Sequence, residues 1–146
     1  MYYLKFSISI AFISWLVGMI LNSLVKDRPV YSNLSNLDFI KKETLTKILG
    51  LDLFKWVVIN TPFKFFNQRL KWKNKIELAQ LIELRKEMTI SEISHLIGFG
   101  FVVVFAIDKF FKGQFLFALV IMIVNTLMNL YPSLLQQVNK RRIDKI

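Results

Sequence analysis

Phe6 to Val25 is a run of twenty residues without a single Asp, Glu, Lys or Arg, and it decides which solvent this chain folds in. At the rise of an α-helix, twenty residues cover about 30 Å, the thickness of the hydrocarbon core of a bilayer. Two further stretches are equally free of charge, Ile93 to Ile107 and Gly113 to Asn139. The composition agrees: 54% of residues are apolar and the mean hydropathy is +0.44, against roughly 45–50% apolar in an ordinary soluble domain. The expected fold is therefore all-α, an integral membrane protein with about three transmembrane helices plus amphipathic interfacial helices. Residues 1–146 form a single membrane domain, with spans at about 6–25, 90–107 and 114–135. The first run is expected to be retained as a span, because Leu21-Asn22-Ser23-Leu24 lacks the small-residue pattern of a signal-peptide cleavage site.

The segment 26–89 is too polar to cross and is expected to lie at the interface and in the cytoplasm. Its opening stretch, with Asp27, Arg28, Pro29 and Ser32 to Ser35, leads into a short amphipathic helix near Asp38 to Leu49. Leu51 to Phe66 is rich in Phe and Trp but carries Asp52, Lys55, Pro62 and Lys64. That pattern fits an interfacial helix or a re-entrant segment, with the two lysines snorkelling and Pro62 ending or kinking the helix. A charged amphipathic helix follows to about residue 87. Thr89-x-x-Glu92 then matches a capping box, which would start span two. Asp108, Lys109, Lys112 and Gly113 read as an exposed turn between spans two and three.

Basic residues set the orientation. With three spans, 17 Lys and Arg lie on the side of the central region and tail, and three on the other. A fourth span over Leu51 to Phe66 would blunt the split to 12 against 7 and bury Lys55. The positive-inside rule thus places the N-terminus outside and the C-terminus in the cytoplasm, in a bacterial cytoplasmic membrane. The formal charge of +10 would raise nucleic-acid binding in a soluble protein. Beside apolar spans it faces anionic headgroups instead, so membrane lipids, not nucleic acid, are the expected partners. With no cysteine, one histidine and scattered carboxylates, no metal site is expected.

Polar side chains inside a span are costly and mark function or interhelical contact. Glu92 and His95 are three residues apart at the start of span two, on one helical face. Asn125 and Asn129 share a face of span three; Pro132, Gln136, Gln137 and Asn139 follow. The topology brings the start of span two and the end of span three to the same side, so Glu92 and His95 are expected to meet Asn129, Gln136 and Asn139. The bland reading makes Glu92 a capping acid, His95 a headgroup-level donor and the asparagines interhelical glue. The chemical reading makes His95 the general base, Glu92 the group that orients its ring, and Asn129 or Asn139 a donor to a developing oxyanion. The basic-aromatic block Lys71-Trp72-Lys73, with Arg142 in the tail, serves as an interfacial anchor or as a grip on a phosphate-bearing substrate.

Three stretches resemble the glycosyl-diaponeurosporenoate acyltransferase family, small membrane proteins linked to carotenoid esterification. Lys71-Trp72-Lys73-Asn74-Lys75-Ile76 resembles its Lys-Trp-Lys block, and Glu92-Ile93-Ser94-His95 its Glu-x-x-His. Asn129-Leu130-Tyr131-Pro132, continuing through Gln136 to Arg142, resembles its terminal Asn, Pro and Gln-Arg-Tyr-Asn-Arg pattern, with Gln137, Val138 and Lys140 departing from it. The order and spacing agree over residues 65 to 142. The resemblance implies a membrane-embedded acyltransferase that esterifies a hydroxyl of a lipid or glycolipid. Its catalytic residues would be His95 and Glu92, and its substrate-binding residues Asn125, Asn129, Gln136, Asn139, Lys71, Trp72, Lys73 and Arg142. No cofactor is expected beyond acyl-CoA or another acyl donor as co-substrate. The alternative is a non-catalytic subunit of a larger envelope complex, and a larger membrane partner or a homo-oligomer is compatible with either.

Overall fold

In a computed structural model, which describes residues 1–37, 39, 50–60 and 78–146, the chain is helical, with no strand among these residues. Helix α1 spans Tyr2–Val25 and the short α2 spans Val30–Leu34. Helix α3 covers Leu51–Asn60, and α4 runs unbroken over the 34 residues Leu78–Phe111. The last helix is interrupted: α5 spans Phe115–Asn125, a π-helical turn spans Thr126–Leu130, and α6 continues over Tyr131–Ile143. Three of these rods, Tyr2–Val25, Leu78–Phe111 and Phe115–Ile143, are long and apolar enough to cross a membrane. Among the described residues, the protein is all-α, with three helices of membrane-crossing length and polarity.

The arrangement of polarity is inverted relative to a soluble bundle. On α1 the inward face carries Ser7, Ile10, Ala11, Ser14, Gly18 and Asn22, whereas Leu4, Ile8, Phe12, Leu16, Ile20 and Leu24 point outward. Small residues every three or four positions let two backbones approach, which drives helix association where lipid is as apolar as leucine. Gly18 shows how close: a Cβ built there would collide with the backbone carbonyl of Ser94 on α4. At Gly98 on α4, a Cβ would sit 2.9 Å from the Ser14 carbonyl and 3.1 Å from Asn129 Oδ1. Helix α1 therefore lies tight along α4 and also packs on α5, while α4 packs on α5 and α6. Ile10, Val102, Ala106, Phe117 and Ile121 form the apolar core of this end. Lys112 and Gly113 close the α4–α5 hairpin, and the positive φ of 71° at Gly113 favours glycine there.

Two boundaries differ from the sequence expectation. Thr89 and Glu92 do not begin a helix but lie inside α4, and the Thr89 hydroxyl donates to the Arg85 carbonyl at 3.0 Å. The charged turns before residue 90 simply prolong the span by about 18 Å at helical rise. Arg85 there holds Asp144 through Nε at 2.6 Å and a second guanidinium nitrogen at 3.2 Å. Span three runs on to Ile143, and the π turn accommodates Pro132, which lacks an N–H and would crowd the carbonyl of Met128 one turn back. That carbonyl accepts a hydrogen bond from Trp15 Nε1 at 3.2 Å instead. The segment expected at the interface begins with α3, whose Leu51 is buried against Leu134 and whose Phe54 meets Tyr131 edge-on at 5.2 Å. The expected helix near 38–49, apart from Phe39, and Pro62 and Lys64 lie outside the described residues.

Candidate functional site

Two polar clusters occupy the contact between α4 and the last helix. The first contains His95. Its Nδ1 lies 3.4 Å from Asn129 Oδ1. The Asn129 amide donates to Ser14 Oγ at 2.9 Å and to Asn125 Oδ1 at 2.9 Å, and Asn125 donates to the Phe99 carbonyl at 3.1 Å. Trp15 meets the imidazole edge-on, with ring centroids 6.0 Å apart. Asn125, Asn129 and Ser14 are fully buried. The asparagine pair is four residues apart, so both amides reach the same seam.

The second cluster surrounds Glu92. Gln137 Nε2 donates to Glu92 Oε1 at 2.8 Å, and Lys140 Nζ forms an ion pair with Glu92 Oε2. The two charged side chains are 0% and 4% exposed. Lys140 also donates to the Ser35 carbonyl at 2.8 Å, and Gln137 Oε1 accepts the backbone N–H of Phe39 at 2.9 Å. This clasp fastens the segment after α2 to two spans. No hydrogen bond joins Glu92 to His95 among the described residues.

The seam with His95 opens on a cavity of about 870 Å³, within the 300–1,000 Å³ range of small-molecule sites. Its walls are mostly apolar: Trp15 and Met19 from α1, Leu53, Phe54 and Val57 from α3, and Leu127, Met128, Tyr131, Pro132 and Leu135 from the last helix. Polar side chains enter at Glu87, Ser91, Ser94, His95 and Gln136. The Gln136 Oε1 is buried with no hydrogen-bond partner among the described residues. Ser94 Oγ is reached by Asn22 Nδ2 at 3.0 Å, and the same amide donates to the Ile90 carbonyl at 2.9 Å.

Of the residues expected to converge, the structure gathers Glu92, His95, Asn129 and Gln136 around one helix contact, joined by the candidate binding residue Asn125. Asn139 is half-buried on α6 and Arg142 is exposed. Neither hydrogen-bonds to His95 or Glu92 among the described residues. Lys71, Trp72 and Lys73 lie outside the described residues. The sequence reading did not single out Ser14, Trp15 and Asn22 of α1, nor Lys140 as a partner of Glu92. The spacing Ser7, Ala11, Ser14, Gly18, Asn22 was the signal for α1; nothing in the basic run Lys140 to Arg142 marks its first member as buried.

A lone imidazole backed by buried amides and lining a largely apolar cavity is the site this membrane protein presents. The chain belongs to the glycosyl-4,4'-diaponeurosporenoate acyltransferase family, whose model matches residues 27–146. Helix α1, which supplies Ser14 and Trp15, precedes the matched region. No curated protein and no solved structure matches the chain.

Proposed function

We propose that this protein is a membrane-embedded acyltransferase that esterifies a hydroxyl group of a lipid or glycolipid, with His95 as the general base. One observation carries the reading: the only histidine of the chain lines a largely apolar cavity while its far side is held by a buried amide. The apolar walls suit an acyl chain and exclude water that would otherwise compete with the acceptor hydroxyl. His95 takes the hydroxyl proton as the oxygen attacks the acyl carbonyl carbon and a new C–O bond forms. The bond to the leaving group then breaks, and His95 returns the proton to it. Acyl-CoA or another lipid thioester or ester serves as donor.

Three further residues are assigned roles compatible with the geometry. Asn129 has both amide N–H donors engaged, so it holds the ring rather than receiving an oxyanion. Gln136, whose side chain lines the cavity wall, is assigned the amide N–H that donates to the tetrahedral oxygen. Glu92 acts through Gln137 and Lys140 as the anchor of the fold around the site. The Arg85, Lys140 and Lys145 end faces the cytoplasm in this reading, following the basic asymmetry.

The test is His95→Ala assayed for acyl transfer in membranes. Transfer is expected to fall by at least ~100-fold, the usual contribution of a general base, with insertion and abundance unchanged. Undiminished transfer in the variant removes the proposal.

A further inference from the structure

A carboxamide in a buried seam has a direction, and here that direction is forced from the backbone. The Phe99 carbonyl can only accept, so the group that Asn125 turns toward it at 3.1 Å must be the NH2. Asn125 therefore presents its oxygen to Asn129. On the other side, the single hydroxyl hydrogen of Ser14 is engaged by the Ala11 carbonyl at 2.7 Å, so toward Asn129 that hydroxyl can only accept. Both neighbours require the Asn129 NH2, and only its oxygen remains for the imidazole. An oxygen facing Nδ1 at 3.4 Å requires a hydrogen on Nδ1. Gly98 is part of the arrangement, because a Cβ there would crowd both Asn129 Oδ1 and Ser14 Oγ.

We infer that Asn125, acting through Asn129 and seconded by Ser14, fixes neutral His95 in the Nδ1–H tautomer and leaves Nε2 as its basic atom. Free histidine favours the other tautomer, so the chain of amides reverses an intrinsic preference. Asn125 and Ser14 are positioning residues: neither needs to touch a reacting atom. Turning the Asn129 amide over would oppose two oxygens in a water-poor seam, which disfavours the flipped state by roughly tenfold or more. The catalytic consequence rests on the general-base reading given above, but the tautomer itself does not.

Because the chain has one histidine, the assignment is directly readable. The full chain, labelled with 15N-histidine and held in lipid nanodiscs at a pH where the ring is neutral, gives one pair of ring-nitrogen resonances. Nδ1 is expected to be the protonated, pyrrole-type nitrogen and Nε2 the bare one. Ser14→Ala alone is expected to keep that pattern, and Ser14→Ala with Asn125→Leu to raise the Nε2–H fraction several-fold. A wild-type protein that is predominantly Nε2–H overturns the inference. So does a helical, folded double variant with unchanged resonances. If the double variant does not fold, the wild-type spectrum still decides. If the tautomer is as stated while His95→Ala retains full acyl transfer, the relay stands and the acyltransferase reading falls.

Discussion

Replacing Lys140 by Met should be among the most damaging single changes, although the residue opens a basic tail. Its ammonium pairs with Glu92 at a place where the two side chains are 4% and 0% exposed. Without it, the carboxylate keeps one bond, from Gln137 at 2.8 Å. Breaking a buried pair from one side costs about 3–5 kcal/mol. Removing both charges is milder: Glu92→Leu with Lys140→Met leaves no ion, only an unpaired Gln137 amide and the half-buried Ser35 carbonyl without its lysine donor, a loss of about 1–3 kcal/mol. The double variant should therefore be more stable than Lys140→Met alone. Unfolding in mixed micelles by increasing fractions of sodium dodecyl sulfate, followed by tryptophan fluorescence, measures all the variants on one scale. A cost for Lys140→Met below about 1 kcal/mol, the level of an exposed pair, would refute the argument. So would a double variant less stable than Lys140→Met.

Four other outcomes follow from the packing and the titration of single groups. Gly18→Ala should destabilise the bundle by about 1–3 kcal/mol, since the backbone it meets cannot rotate away. Gly100→Ala, where a Cβ has open space, should be neutral or stabilising in the same unfolding titration. Trp15→Phe leaves the Met128 carbonyl without its indole donor and should cost about 1–3 kcal/mol. An exposed-site value near zero would argue against the indole's role. Burial raises the Tyr31 hydroxyl above its ordinary 10.0. The folded state then binds this proton more tightly than the unfolded one, so stability is complete below pH 10.0 and declines as pH rises past it. Tyr31→Phe should lessen that alkaline loss in unfolding measured across the range.

The three spans were legible because long charge-free apolar runs have one physical outlet. Glu92, His95, Asn125 and Asn129 were legible for the converse reason: polar groups persist in hydrocarbon only with partners. Their partners were less so. Glu92 sits three residues from His95, yet a helix carries its carboxylate toward Gln137 and Lys140 while the ring turns to Asn129. Spacing along one helix shows that two groups share a face, not which neighbour each finds. The early start of α4 was hidden because Glu83, Arg85 and Lys86 mark water, and a helix can leave the membrane without ending. Lys140 looked like any member of a headgroup-binding run, and only the buried acid opposite explains it.

The widened turn at Thr126–Leu130 lets one rod work in two angular settings. An α-helix advances about 100° per residue, so a one-residue insertion rotates everything downstream by about that angle relative to a straight continuation. Asn129, backed by Asn125, addresses the imidazole before the phase change is complete, and Gln137 and Lys140 address the carboxylate after it. Deleting one residue inside that turn would leave both halves chemically intact but aim the second away from its target. The clasp and the seam are thus kept in step by a dislocation in the helix, a place where the alphabet of side chains matters less than their number.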